Sequence, residues 1–311
     1  MKIWYKENNN TNHLGGYMRL KTRKLNQYDL QLEHLKYRTQ VIFDKHELRM
    51  RGYYGEQLLD EVMNTIQFSG IELSDIRLLN NGVERQFDTL LFFNHQILIV
   101  DAKYYTGNIE VTQQAFLLNG NPHEHPFTQA NRSTIFLRKY LKQHFKNVPD
   151  IDAITVFTNM KSGYAIHDGS CITLKDLPRF IANNQSQFVT YDSLPIAKWL
   201  IAHHRDVSKY DHATDLNCIE IQKGLRCPKC KQINTIQLER NLGICKCCGN
   251  VFTKNELFAL LVKDYKHIYL TNTATVKALQ QFAGFENRSH LFEKYIRAHY
   301  RPGPKRGTYI I

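Results

Sequence analysis

The stretch Gly82–Tyr105, GVERQFDTLLFFNHQILIVDAKYY, decides how the rest of the chain is read. Two apolar runs, Thr89–Phe93 and Gln96–Val100, flank Asn94-His95. Short runs rich in Leu, Ile, Val and Phe with a turn between them predict a β-hairpin. Asn tolerates the left-handed backbone that such turns need. A turn centred on Asn94-His95 fixes the register, with Phe92 opposite Ile97, Leu90 opposite Ile99 and Asp88 opposite Asp101. Side chains alternate along a strand, so Asp101 and Lys103 share a face, about 7 Å apart. The hairpin thus gathers two carboxylates and an ammonium at one end of an apolar ribbon.

Like charges opposite one another destabilise paired strands. Two buried carboxylates ask for a cation. Hard oxygen ligands in a partly open site suit Mg²⁺ or Mn²⁺. A lysine beside such an ion can orient a nucleophilic water or steady the charge developing on a phosphate. The plainer alternative is a strand end at the surface, with Lys103 neutralising one aspartate as a salt bridge.

Outward from the hairpin, Leu59, Met63 and Ile66 form a stripe that predicts a helix over Gly55–Ile66. Glu56 falls in its first turn, where it either complements the helix dipole or points into the carboxylate cluster as a third acid. A strand is expected over Ile71–Leu79 and a further extended stretch over Ile109–Leu118. A long helix is expected from Pro126 to about Phe145, with Ala130, Thr134, Leu137, Leu141 and Phe145 as its buried stripe. Gln129 lies one position off that stripe. Strands at Ala153–Thr158 and Cys171–Leu174 and helices from Asp176 and over Leu194–His204 complete an α/β domain with a mixed sheet.

Several of these pieces together resemble the nuclease-related domain (NERD) family of the PD-(D/E)xK nuclease superfamily. They are Gly52-Tyr-Tyr-Gly55-Glu56, Gln86-Phe-Asp88, Ile99-Val-Asp101-Ala-Lys103-Tyr-Tyr-Thr-Gly107, and Asn121-Pro122 followed by Gln129. The resemblance runs over roughly residues 50 to 160. It implies a restriction-endonuclease-like mixed sheet with flanking helices. It further implies that Asp88 and Asp101 hold Mg²⁺ or Mn²⁺ with Glu56 as a third acidic group, that Lys103 activates water, and that Gln129 assists. The reaction it implies is hydrolysis of a phosphodiester leaving a 5′-phosphate. The family more often has Glu where this chain has Asp101, and the shorter arm changes the metal's reach.

The second signal is Cys227-Pro-Lys-Cys230 followed by Cys245-Lys-Cys247-Cys248-Gly249. Five of the seven cysteines fall within Cys227–Cys248, which argues for metal rather than a disulfide scaffold. Cys227, Cys230, Cys245 and Cys248 offer four thiolates for a structural Zn²⁺, as in a zinc ribbon. A redox-active pair is the alternative. Cys247 is then spare. Such an ion replaces a core too small to fold alone and does no chemistry.

Beyond the cysteines, three helices are expected at Glu256–Tyr265, Thr273–Ala283 and Arg288–His299, then a tight turn and a terminal strand pair in RPGPKRGTYII. This order is winged-helix-like, with Arg288, Lys294 and Arg297 on a helix for a major groove and Lys305 and Arg306 on phosphates. The net charge of +12 is unevenly placed, because Ile221–Ile311 carries 16 Lys and Arg against 5 Asp and Glu. A basic segment on a balanced domain points to a polyanion, with DNA the expected partner. No run of about 18 apolar residues suggests a membrane span. The start, MKIWYKENNN, lacks the apolar core of a secretory signal, so a cytoplasmic protein is expected.

The expected organisation is a helical extension over 1–50 (its first 16 residues a loose arm), a nuclease-related domain over 51–204, a linker over 205–222, a zinc ribbon over 223–253 and a basic module over 254–311. The leading function is a metal-dependent nuclease. A non-cleaving DNA-binding protein and a protein-interaction scaffold on the same fold are the alternatives.

Overall fold

The computed structural model describes residues 17–93, 96–184, 193–240, 242–285 and 289–311. The Asn94-His95 turn, residues 1–16 and Arg288 lie outside the described residues. The chain divides into two compact units, Met1–Lys24 with Glu47–Lys209, and Leu25–His46 with Tyr210–Ile311. Residues 25–46, read in sequence as part of an N-terminal extension, therefore group with the C-terminal region, as do residues 210–222. Among the described residues no helix is long and apolar enough to cross a membrane.

The first unit is built on a six-stranded mixed sheet. Its order is β1 (Tyr17–Lys21), β2 (Gly70–Asn80), β3 (Val83–Phe93), β4 (Gln96–Lys103), β8 (Asp150–Phe157) and β10 (Cys171–Thr173). β2, β3 and β4 pair antiparallel, while β1 joins β2, β8 joins β4 and β10 joins β8 in parallel. The hairpin register is the one expected, with Leu90 opposite Ile99 and Phe92 opposite Ile97. The pairing ends at Thr89 opposite Val100, one step short of the two aspartates.

Alternation along the strands divides their side chains between two layers. Leu90, Phe92, Ile97 and Ile99 pack with Leu137 and Leu141 of α3 (Pro126–Lys142) and with Ala197 and Leu200 of α5 (Leu194–Ala202). Leu91, Phe93, Leu98 and Val100 pack with Leu59 and Met63 of α2 (Asp44–Met63) and with Leu177 and Ile181 of α4 (Leu177–Asn184). Covering both faces explains why the strands read as continuous apolar runs. Each such side chain contributes about 1.5–3 kcal/mol on burial.

Two local expectations are corrected. The helix that carries Glu56 begins at Asp44, so Glu56 lies roughly three turns inside it, beyond the reach of the N-terminal dipole. The stretch Ile109–Leu118 is two strands rather than one. β5 (Asn108–Val111) folds back onto β6 (Phe116–Leu118) through a turn in which the Thr112 N–H donates to the Ala115 carbonyl at 2.9 Å. With β7 (Asn121–His123) and β9 (Gly163–Ile166) they form a separate four-stranded sheet.

The second unit contains α1 (Gln27–Leu35) and a three-stranded antiparallel ribbon, β11 (Ile236–Leu238), β12 (Leu242–Cys245) and β13 (Val251–Thr253). There follow α6 (Lys254–Ile268), β14 (Thr273–Thr275), α7 (Val276–Phe282), α8 (His290–His299) and β15 (Thr308–Ile310). β14 pairs antiparallel with β15, and Pro302 bridges Tyr309, so the terminal residues fold into a wing beside the helices. Thr253 starts α6 with a reciprocal cap, its hydroxyl accepting from the Glu256 N–H while Glu256 accepts from the Thr253 N–H. Leu35 of α1 shares one core with Phe258, Leu261, Phe282, Phe292 and Ile296.

Within that core lies a carboxylate with no exposure, Asp264. Arg38 donates to its Oδ2 from Nε and Nη2 at 3.1 and 2.8 Å, Arg226 donates from Nε at 2.9 Å, and His34 Nδ1 lies 2.7 Å from Oδ1. Arg38 also covers the Phe282 ring at 4.3 Å. Burial alone would raise the Asp264 pKa. The hydrogen bonds from Arg226 and His34 and the two guanidinium charges outweigh it and hold the carboxyl well below its usual range. This cluster ties the end of α1, the approach to Cys227 and α6 into one body.

Candidate functional site

The site forms where β3 and β4 outrun their pairing. Asp88 turns its Oδ2 onto the Ala102 N–H at 2.9 Å, satisfying the donor that the ended ladder leaves. Asp101 and Lys103 share the expected face and close into an ion pair, with Lys103 Nζ 2.9 Å from Oδ2 and 3.1 Å from Oδ1. Gln129, near the start of α3, donates from Nε2 to Asp101 Oδ1 at 3.4 Å. His125 sets that helix start, because its Nδ1 accepts the Phe127 N–H at 3.1 Å and Nε2 lies 2.8 Å from the Thr112 carbonyl. The structure therefore brings Asp88, Asp101, Lys103 and Gln129 together.

Glu56 reaches the same region from α2. Gly55 makes this approach possible, since a Cβ there would stand 2.6 Å from Tyr104 Cβ and 2.7 Å from Thr158 Oγ1. The helix can lie against the chain just past Lys103 only without that carbon. Glu56 is held by a residue the sequence reading did not single out. Arg23 binds the Glu56 carboxylate through Nη1, Asp60 through Nε at 3.1 Å, and the Asp88 carbonyl through Nη2 at 2.8 Å. Asp60 lies four residues after Glu56, hence on the same helix face. Two acids so placed were a legible sign that a cation is near, but nothing in the sequence said that Arg23 supplies it.

The charges strain one another. Burial and the Asp88 charge push the Glu56 pKa up, and the Arg23 guanidinium opposes them. Burial likewise raises Asp101, against the pull of Lys103, to about 6. Burial alone would lower the Lys103 pKa, but the carboxylates of Asp101 and Asp88 win and it lies above its ordinary value. Lys103 is thus an ammonium at neutral pH, able to donate and to stabilise anions but not to take a proton.

The donor set fits a hard divalent cation. Asp101 Oδ2 is buried and accepts no hydrogen bond of proper geometry, although Lys103 lies close. Carboxylates raised by burial are those a dication would relieve. The three acids do not form a closed cage. Among the described residues, the group of three or more potential ligands whose donor atoms lie within 4.8 Å of one another is the cysteine set.

That set is Cys227, Cys230, Cys245 and Cys248, and it could hold a metal ion. Cys227 and Cys248 Sγ are 3.7 Å apart, Cys230 and Cys245 Sγ 3.6 Å. A tetrahedral ion with metal–sulfur bonds of about 2.3 Å asks for edges of about 3.8 Å. Each CxxC closes on a left-handed residue whose N–H returns to the first cysteine's carbonyl. These are Lys231 to Cys227 at 3.1 Å and Gly249 to Cys245 at 2.8 Å. Cys247 is exposed and outside the set, as the spacing predicted.

Of the basic residues expected on nucleic acid, Lys294 and Arg297 lie exposed on α8 and Lys305 and Arg306 lie exposed in the wing. Arg297 is paired with Glu293 at 2.6 Å.

A mixed sheet sandwiched by helices carries two aspartates and a lysine where the pairing of its central hairpin ends. Residues 51–158, about a third of the chain, match the family model described as nuclease-related domain, NERD. The matched segment contains Glu56, Asp88, Asp101, Lys103 and Gln129, while Arg23 and the cysteine set lie outside it. No curated protein and no solved structure gives a match to the chain.

Proposed function

We propose that the protein is a metal-dependent nuclease that hydrolyses phosphodiester bonds of DNA. The observation that carries this reading is the convergence on one frayed strand end of Asp88, Asp101, Lys103 and Gln129, within 3.4 Å contacts. Asp88 and Asp101 are the residues to hold Mg²⁺ or Mn²⁺. A bound dication would neutralise the phosphate and act as a Lewis acid toward its oxygens. Asp88 is fixed by the Ala102 N–H through Oδ2 alone. Lys103 is loaded with its proton and leaves Asp101 to donate Nζ–H to a phosphate oxygen, where it stabilises the charge that develops. Gln129 keeps Asp101 oriented once Lys103 turns away. Glu56, held by Arg23, anchors α2 beside the strand end that carries Asp88.

The four cysteines hold structural Zn²⁺ and stiffen the ribbon that leads into α6. Lys294, Arg297, Lys305 and Arg306 supply affinity for the DNA backbone without chemistry, and that affinity should fall with salt. The test is cleavage of supercoiled plasmid and of single-stranded DNA with Mg²⁺, Mn²⁺ or EDTA. Metal-dependent cutting that leaves 5′-phosphates supports the reading. Salt-sensitive DNA binding without cutting under any metal refutes it in favour of a non-cleaving DNA-binding protein.

A further inference from the structure

Arg23 is 7% exposed and lies at the heart of the acidic region. Each nitrogen of its guanidinium has a partner. Nε and Nη2 reach Asp60 Oδ2 and Oδ1 at 3.1 and 3.4 Å, Nη1 reaches Glu56, and Nη2 also reaches the Asp88 carbonyl at 2.8 Å and Thr89 Oγ1 at 3.3 Å. One planar cation thereby joins α2 to β3. Resting on the nuclease reading above, we propose that Arg23 is a positioning residue that stands in for a second metal ion. It holds Glu56 and Asp60 as its own counter-ions, so that Asp88 and Asp101 hold a single divalent ion and Glu56 is not a ligand.

Three features carry this. First, strand alternation separates the acids. Asp101 lies in step with Ile97 and Ile99, on the α3 face where Gln129 meets it, whereas Thr89, which Arg23 touches, lies in step with Leu91 on the α2 face. Second, among the described residues Glu56, Asp88 and Asp101 do not bring three oxygens all within 4.8 Å of one another. Third, two partly buried carboxylates one helical turn apart on α2 call for a permanent counter-charge, and a guanidinium offers five donors in a rigid fork that matches them. Unlike a metal ion, it cannot dissociate. The site then contains one exchangeable cation and one built in.

The experiment counts ions. The full chain, with Zn²⁺ loaded on its cysteines, is titrated with Mn²⁺ and followed by calorimetry and electron paramagnetic resonance. Wild type should take up one further ion. Glu56→Gln should also take up one, with affinity within about threefold, since Glu56 is not a ligand and its charge is already matched by Arg23. Arg23→Gln, which frees Glu56 and Asp60, should take up two, with a spin-coupled signal. Arg23→Gln combined with Glu56→Gln should return to one. Two Mn²⁺ ions in wild type, a single ion in folded Arg23→Gln, or a loss of more than about tenfold in Glu56→Gln would each overturn the proposal. If Arg23→Gln does not fold, wild type and Glu56→Gln decide the matter alone. No Mn²⁺ uptake by wild type would instead remove the nuclease reading on which the proposal rests.

Discussion

Replacing Gly55 with alanine tests how α2 is docked. The added Cβ would lie 2.6 Å from Tyr104 Cβ and 2.7 Å from Thr158 Oγ1. Carbon atoms rest about 3.5–4.0 Å apart, so the helix must retreat by about 1 Å. Tyr104 Cβ is bonded directly to the backbone and no rotation of its side chain moves it away. Overpacking of this kind costs about 1–3 kcal/mol, against a gain of about 1 kcal/mol in helix propensity. Gly52 lies in the same helix, and a Cβ there meets nothing within 4 Å, so Gly52→Ala should show the propensity gain alone. The two variants should therefore differ by about 1–3 kcal/mol, or roughly 2–10 °C in melting temperature. Circular dichroism melts measure this without any assumption about activity. In the cleavage assay, a shift of about 1 Å where α2 meets Tyr104, next to Lys103, should slow Gly55→Ala by up to about 100-fold, with Gly52→Ala unchanged. A Gly55→Ala protein as stable as Gly52→Ala would refute the packing argument.

Three further outcomes are expected. Asp264→Asn leaves Arg38 and Arg226 buried without a counter-ion and should cost about 3–5 kcal/mol. Because the folded Asp264 pKa is depressed, its contribution is fully present above the unfolded value of about 3.9 and is lost progressively as pH falls from there through the folded value; urea midpoints of wild type should drop below about pH 4–5, and those of Asp264→Asn should lack that part of the drop. Chelation should release one Zn²⁺ per chain and unfold the ribbon, Cys230→Ser should not retain the ion, and Cys247→Ser should retain it, as metal analysis of the purified proteins will read. Neutralising Lys294, Lys305 and Arg306 should flatten the dependence of DNA affinity on salt, by about 0.7–0.9 in log–log slope for each phosphate that no longer meets a cation.

What could be read from the sequence was local. The hairpin register follows from two apolar runs joined by two residues, and Leu90 and Ile99 sit opposite one another as that spacing requires. The cysteine set follows from two CxxC pairs. What could not be read depends on distant pairing. Arg23 follows β1, whose parallel partner β2 comes about 50 residues later, and an isolated arginine in a charged stretch carries no periodicity to mark it. The start of α2 was hidden because Asp44–Arg51 is polar and Gly52 and Gly55 look like a boundary, whereas Gly55 is a point of close approach. The helix α1 was placed in an extension because its weak stripe gives no hint of its partner, and Gln31 donating to the Ile268 carbonyl at 2.9 Å joins it to α6, more than 200 residues away.

The central claim is that Asp101 serves the metal while Lys103 serves the reaction. The most direct measurement compares Lys103→Ala and Asp101→Asn in the same preparation, for Mn²⁺ affinity and for plasmid cleavage. Asp101→Asn is predicted to lose both. Lys103→Ala is predicted to bind Mn²⁺ at least as tightly as wild type, its competing ammonium gone, yet not to cut. A Lys103→Ala protein that cuts at the wild-type rate would contradict this division of roles, and would reduce the pair to a salt bridge at the end of a strand.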